Sequence, residues 1–203
     1  MPPASVGARE HPPASPAPPA SSPAAAPPPA RLLVGAAGVA SLGILPTAGA
    51  GAALRAMYAP RSTVLVGLEA SFEAGGSVRI GAIGVGDIGF QLFSAGARVG
   101  LPVLHSDRFE LIPTLGARGG LLHTSPTGFP VVKNETRATM LAGAGVLVRA
   151  RLGQHLFAEA LPEVEAVLVR DRLRIRDGDK LYHVFRASPF EARLSLGLGY
   201  EFP

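Results

Sequence analysis

Three residues in one short stretch have the side chains of a hydrolytic site. His123 and Ser125 are separated by one residue, and Glu135 follows ten residues after Ser125. A histidine can take the proton of a serine hydroxyl while a carboxylate orients that histidine, as in nucleophilic catalysis. Against this, the run Ser125-Pro126-Thr127-Gly128 predicts a turn, which would carry Ser125 off the strand that holds His123. An ordinary loop histidine and serine is the favoured interpretation.

A glycine pattern of a different kind occurs at residues 84–89, where GVGDIG matches the dinucleotide-binding spacing G-x-G-x-x-G. That function needs a strand before the pattern and an amphipathic helix after it. Residues 90–104 instead alternate with period two, and the chain has 25 glycines, so a chance match is easy. Because the chain lacks cysteine and its His105 and His155 fall in separate turns, we expect neither a cofactor nor a metal site.

The composition limits the possible partners. The net charge is +4, but charged residues make up only 17% of the chain, below the ~25% of typical soluble domains. The arginines are spread singly along alternating stretches and form no dense basic block with aromatic residues. A nucleic-acid partner is therefore not expected.

The first 30 residues differ from the rest. They hold eleven of the twenty prolines, mixed with alanine and serine, and show no apolar periodicity. Such a segment cannot bury a core, so we predict a disordered Pro/Ala-rich spacer over residues 1–30 and one folded domain over residues 31–203. The spacer lacks the basic start and the apolar run of a signal peptide.

Residues 32–54 carry no charge and permit two interpretations. One is a transmembrane helix or a late signal sequence, and the other is a pair of strands interrupted at Ser41–Thr47. The stretch is mostly glycine, alanine and serine and contains Pro46. Residues this small contribute little transfer free energy, and glycine and proline form helices poorly. The strand pair is the favoured interpretation.

From Leu54 onward, apolar residues recur at every second position, which predicts strands with one apolar face. The pattern is most regular in the last stretch, Pro189–Phe202. With the weak first pair it gives eight strands. The stretches between Tyr58 and that last strand are Val64–Glu73, Phe93–Leu101, Phe109–Leu121, Arg137–Arg149 and Ala158–Leu168.

The connections between these strands alternate in length. Short turns are predicted around Pro60, at Pro102–Asp107 and at Arg151–His155, and longer loops at Ala74–Gly89, His123–Thr136 and Arg170–Arg186. Short turns at one end, long loops at the other and an even strand number are typical of an up-and-down antiparallel transmembrane β-barrel. We predict an all-β fold of this kind with about eight strands.

The two faces of the predicted strands differ in charge. One is built from Leu, Val, Ala and Phe, as contact with lipid requires, and the other carries arginine, glutamate and glycine. Side chains just fill an eight-stranded barrel, and buried charges must be paired, so we predict an interior plugged by Arg/Glu pairs. The predicted network comprises Arg55, Glu69, Arg98, Glu110, Arg118, Arg149, Glu159, Glu163, Glu165, Glu191 and Arg193. Glu73, Arg108, Arg137 and Glu201 share its face.

The final residues Leu194-Ser195-Leu196-Gly197-Leu198-Gly199-Tyr200-Glu201-Phe202 are similar to the C-terminal signal that barrel-assembly machinery reads, although Pro203 follows the terminal Phe202. In architecture the chain from Arg31 to Pro203 resembles the small OmpA/OmpX-type outer-membrane barrels. The resemblance implies an outer-membrane location, contact with outer-membrane lipid, and recognition of Tyr200 and Phe202 by that machinery. It implies a role between membrane anchoring and adhesion, and we expect a monomer.

A basic run precedes the last strand. Arg170, Arg172, Arg174 and Arg176 alternate with other residues, Asp177-Gly178 predicts a hairpin turn, and Lys180–Arg186 could pair back. The four arginines share the parity of Leu168, which predicts a place on the outer wall. There they could contact lipopolysaccharide phosphates through charge-assisted hydrogen bonds. A solvated charged hairpin is the alternative.

These features predict a structural anchor or a surface-exposed interaction module, and no enzyme. Two other classes stay open. The His123 and Ser125 spacing resembles that of outer-membrane lipid A deacylases, which implies a lipid-modifying barrel enzyme. A soluble β-barrel that binds a small apolar ligand is the other class, although soluble strands of ~5–6 residues are shorter than the stretches found here.

Overall fold

Eleven β-strands make up the part of the chain that the computed structural model describes, which is residues 30–61, 64–80, 86–128, 135–170, 172–177 and 180–202. The description leaves out the side chains of residues 61, 80, 172–177 and 180–184. In chain order the strands are β1 (Arg31–Leu42), β2 (Gly49–Arg61), β3 (Val64–Ile80), β4 (Gly86–Gly100), β5 (Leu104–His105), β6 (Phe109–Thr127), β7 (Glu135–Arg151), β8 (Leu156–Val169), β9 (Arg172–Asp177), β10 (Lys180–Arg186) and β11 (Phe190–Phe202). The described residues include no helix that is long and apolar enough to cross a membrane.

Eight of these strands close into a barrel. Around the wall the order is β1, β2, β3, β4, β6, β7, β8 and β11, and every neighbouring pair is antiparallel. The ring closes where β1 pairs with β11, from Leu32 opposite Phe202 to Leu42 opposite Ala192. Closure leaves no free sheet edge. The predicted eight-stranded up-and-down barrel is confirmed, and the spacer predicted for residues 1–30 falls outside the described residues except at Ala30.

The uncharged stretch 32–54 forms β1, a connection at residues 43–48, and β2. In β1 buried and exposed residues alternate strictly from Leu33 to Leu42, as in a wall strand with one inner and one outer face. The helix or late-signal interpretation of this stretch is therefore wrong. Ala, Gly and Val suffice here because the neighbouring strands supply the hydrogen bonds.

Two predicted loops are strand over at least half of their length. Within Ala74–Gly89, β3 continues to Ile80 and β4 begins at Gly86, and residues 81–85 lie outside the described part of the chain. Within His123–Thr136, β6 continues to Thr127 and β7 begins at Glu135. The turn predicted at Ser125–Gly128 is therefore wrong, because its first three residues lie in β6. The backbone ladder continues after the outward residues become polar or glycine, because its hydrogen bonds do not depend on side-chain polarity.

The two ends of the barrel differ. One end carries Arg31, Phe202 and the short connections after β2, β4 and β7; we call it the terminal end. The opposite end, the loop end, carries the long connection between β8 and β11, where β9 and β10 form a separate two-stranded hairpin. The arginines at 172, 174 and 176 therefore belong to a strand of this separate hairpin and not to β8, and their contact with lipopolysaccharide stays a prediction.

Candidate functional site

The barrel interior contains a layer of ion pairs. All eleven residues of the predicted network face inward, and none of their side chains is more than 8% exposed. They come from seven of the eight wall strands, since β1 contributes none. Ion pairs between them join parts of the wall that are not neighbours.

Arg193 and Arg55 connect opposite sides of the lumen. Nη1 of Arg193 lies 2.6 Å from Glu69 and 3.3 Å from Glu163, which belong to β3 and β8. Arg55 on β2 pairs with Glu69 beside it and reaches Glu159 on β8, at 2.6 Å. These contacts cross a barrel whose neighbouring strands are already joined by backbone hydrogen bonds, so the interior is cross-linked as well as filled.

Arg118 holds a second group of carboxylates nearer the loop end. Its guanidinium lies 2.8 Å from Glu165, 2.8 Å from Glu191 and 3.2 Å from Glu73. Glu73 is fully buried and also lies 3.2 Å from Arg193. This residue, which shares the charged face but stands outside the predicted network, is therefore part of the same layer. Arg98 pairs with Glu163 at 2.8 Å and with Glu69 at 3.2 Å.

Inward glycines make room for these long side chains. A Cβ at Gly96 would lie 2.5 Å from the Cβ of Arg118, and a Cβ at Gly143 would lie 2.8 Å from the Cγ of Glu165. At both points the added Cβ would also lie within 2.4 Å of a backbone carbonyl oxygen of the neighbouring strand. Glycine is therefore required there for space, even though the backbone is ordinary strand.

Glu110 forms a separate cluster at the terminal end. It accepts from Arg149 at 2.9 Å and lies 3.3 Å from Arg31 and 3.0 Å from Nδ1 of His105. Arg149 also stacks 4.6 Å above the ring of Phe157. The rim residue Glu201 pairs with Arg31 at 3.3 Å, which ties the first wall strand to the last.

Two further residues of the charged face are less buried than the predicted network. The prediction that Arg108 shares the charged face is wrong, because Arg108 lies exposed in the connection before β6. Arg137 pairs with Glu135 at 2.6 Å, and both side chains are more than one third exposed. The strand pattern assigns both residues to the charged face because it does not show where the barrel ends.

Apolar side chains close the interior above and below the ions. The terminal-end cluster is Leu33, Met57, Ala59, Leu65, Ile112, Leu147, Phe157 and Leu161. The loop-end cluster is Ile44, Leu45, Ile88, Phe90, Leu92, Leu122, Leu141 and Val167. Reasoning from the charged face missed both clusters. Most members occupy strand positions with the same alternation as the inward charged residues, so the sequence could have identified them. Ile44 and Leu45 lie in the β1–β2 connection, where no alternation exists.

The residues considered for catalysis are not brought together. Nδ1 of His123 lies 3.0 Å from the hydroxyl of Thr136. Glu135 points its carboxylate at Arg137, and Ser125 pairs across the sheet with Gly89. Within the described residues, no group of His, Cys, Asp or Glu is arranged to hold a metal ion.

The outer surface is apolar over a limited height. On β6 the outward residues from Phe109 to Leu121 are apolar or glycine, and twelve steps of ~3.3 Å at a tilt of ~40° give about 30 Å. One step further, Gln91, His123 and Thr136 stand side by side in register on three strands. At the terminal end, Tyr200 and Phe202 are exposed with ring centroids 4.8 Å apart, and Tyr58 is exposed on β2. The band thus ends in a polar row on one side and in aromatic rings on the other.

The first arginine of the basic run, Arg170, has defined contacts. Arg170 is exposed, and its Nε and Nη2 donate to the carbonyl oxygen of Ala187 at 3.3 and 3.1 Å. The hairpin backbone follows, with β9 paired to β10. The side chains of Arg172, Arg174 and Arg176 lie outside the described part.

The fold is shared with solved structures. A major outer membrane protein from Thermus thermophilus aligns with a TM-score of 0.64 at 17% identity, over 85% of this chain and 99% of that one. Neisserial surface protein A aligns at 0.55 and 14%, over 85% and 97%. Ail of Yersinia pestis, in complex with the heparin analogue sucrose octasulfate, aligns at 0.53 and 15%, over 85% and 97%. No protein-family model and no curated protein matches the chain.

These comparisons define the class of fold. Alignments that cover nearly the whole of each known barrel identify the chain as having the fold of the small outer-membrane β-barrels. At 14–17% identity the likeness extends to the fold alone.

Proposed function

We propose that the chain is an integral outer-membrane protein whose barrel serves as a structural anchor or a surface-exposed interaction module. The observation that carries the proposal is that apolar side chains face outward and charged side chains face inward, the reverse of a soluble protein. The wall turns its leucines, valines and phenylalanines outward over about 30 Å, while paired arginines and glutamates are buried. A soluble barrel would bury the first set and expose the second. The fold shared with an outer membrane protein from Thermus thermophilus supports the location.

The filled interior supports a role without transport. Apolar clusters stand above and below a layer of cross-linked ions, so neither end offers a continuous polar path. Since His123 contacts Thr136 and Glu135 pairs with Arg137, the geometry also favours an anchor over a lipid-modifying enzyme. The further parts of the proposal are lipopolysaccharide as a partner, recognition of Tyr200 and Phe202 by barrel-assembly machinery, and a monomeric state.

The proposal is tested by electrophoresis of the full chain purified in detergent. A closed barrel pairs every backbone hydrogen bond around the ring, so we expect it to resist SDS until boiled. The unheated sample should then migrate differently from the boiled one, and the protein should sediment with membranes. Identical migration, together with a protein that stays soluble without detergent, would overturn the proposal.

A further inference from the structure

Polar side chains cover the outer wall on the loop-end side of the apolar band. Gln91, His123 and Thr136 form the first row, side by side on β4, β6 and β7. Ser125 and Thr127, the next two outward positions of β6, stand above this row. We call these five residues the polar patch. Each of them is at least partly exposed, so the patch is open to a ligand from outside the barrel.

The patch presents both donors and acceptors of hydrogen bonds. Nδ1 of His123 lies 3.0 Å from the hydroxyl of Thr136, and that contact uses only one of the two ring nitrogens. Gln91 stands directly opposite His123 on the neighbouring strand. The hydroxyl, imidazole and amide groups of these residues can each donate as well as accept. Sugar hydroxyls have the same double capacity, so they are complementary to such a surface.

The charge of the patch favours a saccharide over a phosphate. None of its residues except His123 can ionise near neutral pH. Asp87 stands opposite Thr127 and pairs with the exposed Arg79 at 3.5 Å, so this ion pair adds no net charge. Tight phosphate binding draws on charge-assisted hydrogen bonds from cations, whereas a saccharide needs the neutral donors and acceptors that the patch supplies.

The height of the patch favours a lipid with a large headgroup. Leu121, the last outward apolar residue of β6 before the patch, is 53% exposed. His123, Ser125 and Thr127 follow in steps of two residues, and a rise of ~3.3 Å per residue at a tilt of ~40° places Thr127 about 15 Å above Leu121. The polar region of a phospholipid leaflet is only ~5–8 Å thick. A glycolipid headgroup can reach the whole patch.

Resting on the proposed outer-membrane location, we infer that the polar patch binds the saccharide headgroup of lipopolysaccharide in the surrounding membrane. Gln91, His123 and Thr136 contact the sugars next to the acyl chains, and Ser125 and Thr127 contact sugars further from the membrane. The acyl chains of the same molecule lie against the apolar band below. The site is therefore on the barrel wall and does not depend on the arginine run.

The test uses an outward glycine inside the patch. Gly89 stands opposite Ser125, and a Cβ there would come no closer than 3.8 Å to another atom. Gly89→Leu therefore covers part of the patch without a close contact at its Cβ. The matched control is Gly119→Leu in the apolar band, where nothing lies within 4 Å of an added Cβ. A second patch variant, Gln91→Ala/Thr136→Ala, removes two polar side chains without adding bulk.

Each full chain, purified in detergent, is titrated with four probes. These are rough-type lipopolysaccharide, the same lipid after enzymatic dephosphorylation, the oligosaccharide cleaved from it, and phosphatidylethanolamine. We expect each patch variant to lose about tenfold in affinity for lipopolysaccharide, since each loses about two hydrogen bonds to the ligand. The control should stay within twofold. The loss should be the same with dephosphorylated lipid, because the patch contacts sugars.

Four results would overturn the inference. The first is equal affinity of the unsubstituted chain and both patch variants for lipopolysaccharide. A loss that disappears with dephosphorylated lipid would assign the contact to phosphate. An equal loss with phosphatidylethanolamine would show that the patch meets any lipid headgroup. Oligosaccharide that binds as tightly as the intact lipid would assign the patch to a soluble saccharide.

The same preparations separate this inference from the proposed function. A barrel that keeps its heat-dependent mobility while its lipopolysaccharide affinity ignores the patch would overturn the inference alone. An unsubstituted chain without that mobility shift would overturn the proposed function.

Discussion

At the scale of single residues, Arg118 and Arg193 each contact three carboxylates in the interior, and Arg118 gives the more direct test. Arg118 contacts those of Glu73, Glu165 and Glu191, and its side chain is only 6% exposed. A buried ion pair contributes little compared with a well-packed apolar substitute, yet removing one partner leaves uncompensated charge in a low-dielectric interior. Removing Arg118 would therefore leave these carboxylates without their shared partner and destabilise the barrel.

We expect Arg118→Met to lower the free energy of unfolding by about 3–5 kcal/mol. Urea unfolding in phospholipid vesicles, followed by far-UV circular dichroism because the chain has no tryptophan, measures the loss. The control is Arg79→Met, whose exposed pair with Asp87 should be worth less than about 1 kcal/mol. Adding Glu191→Gln to Arg118→Met should restore part of the stability. Equal losses in Arg118→Met and the control would show that the ionic layer does not stabilise the barrel.

At the scale of elements, the sequence predicts the wall strands wherever the environments on the two sides of the wall differ. Lipid outside and filled space inside impose strict alternation on β6, from Phe109 to Leu121, and on β11. Toward the loop end the outward residues change to polar or glycine, so alternation no longer identifies strand. That is why the pattern predicts loops at Ala74–Gly89 and His123–Thr136.

Packing that depends on a connection could not be predicted either. Ile44 and Leu45 enter the barrel from the β1–β2 connection and are 1% and 4% exposed. Their path depends on Gly43, which has φ of +123° and whose Cβ position would lie 2.3 Å from the carbonyl oxygen of Phe190. A single glycine among 25 gives no sign of such a role in the sequence.

Gly43→Ala should therefore destabilise the barrel by about 1–3 kcal/mol, because an L side chain is strained at that φ. The matched control is Gly153→Ala in the β7–β8 turn, where nothing lies within 4 Å of the added Cβ. The control should be neutral or slightly stabilising. Urea midpoints of both variants give the comparison. If Gly43→Ala unfolds at the same midpoint as the control, the β1–β2 connection does not need this conformation.

At the scale of the whole molecule, the barrel reverses the arrangement of a soluble protein, in which apolar residues form the centre and charged residues the surface. Ions lie at the centre, apolar clusters close both ends, and a further apolar surface faces outward. The barrel has no free edge, so its stability does not require a partner strand. This arrangement makes sense only if lipid surrounds the outer band, and the polar row of Gln91, His123 and Thr136 then marks where the band meets water.

The absence of native cysteine allows that boundary to be measured directly. Thr136 and Ala144 lie on the outer face of β7 and are both exposed, whereas Ser195 faces the interior and is fully buried. In vesicles, we expect a membrane-impermeant thiol reagent to label Thr136→Cys but neither Ala144→Cys nor Ser195→Cys. All three should react after boiling in SDS, which controls for the chemistry. Labelling of Ala144→Cys at the rate of Thr136→Cys would mean that the apolar band faces water, and a membrane barrel would then be untenable.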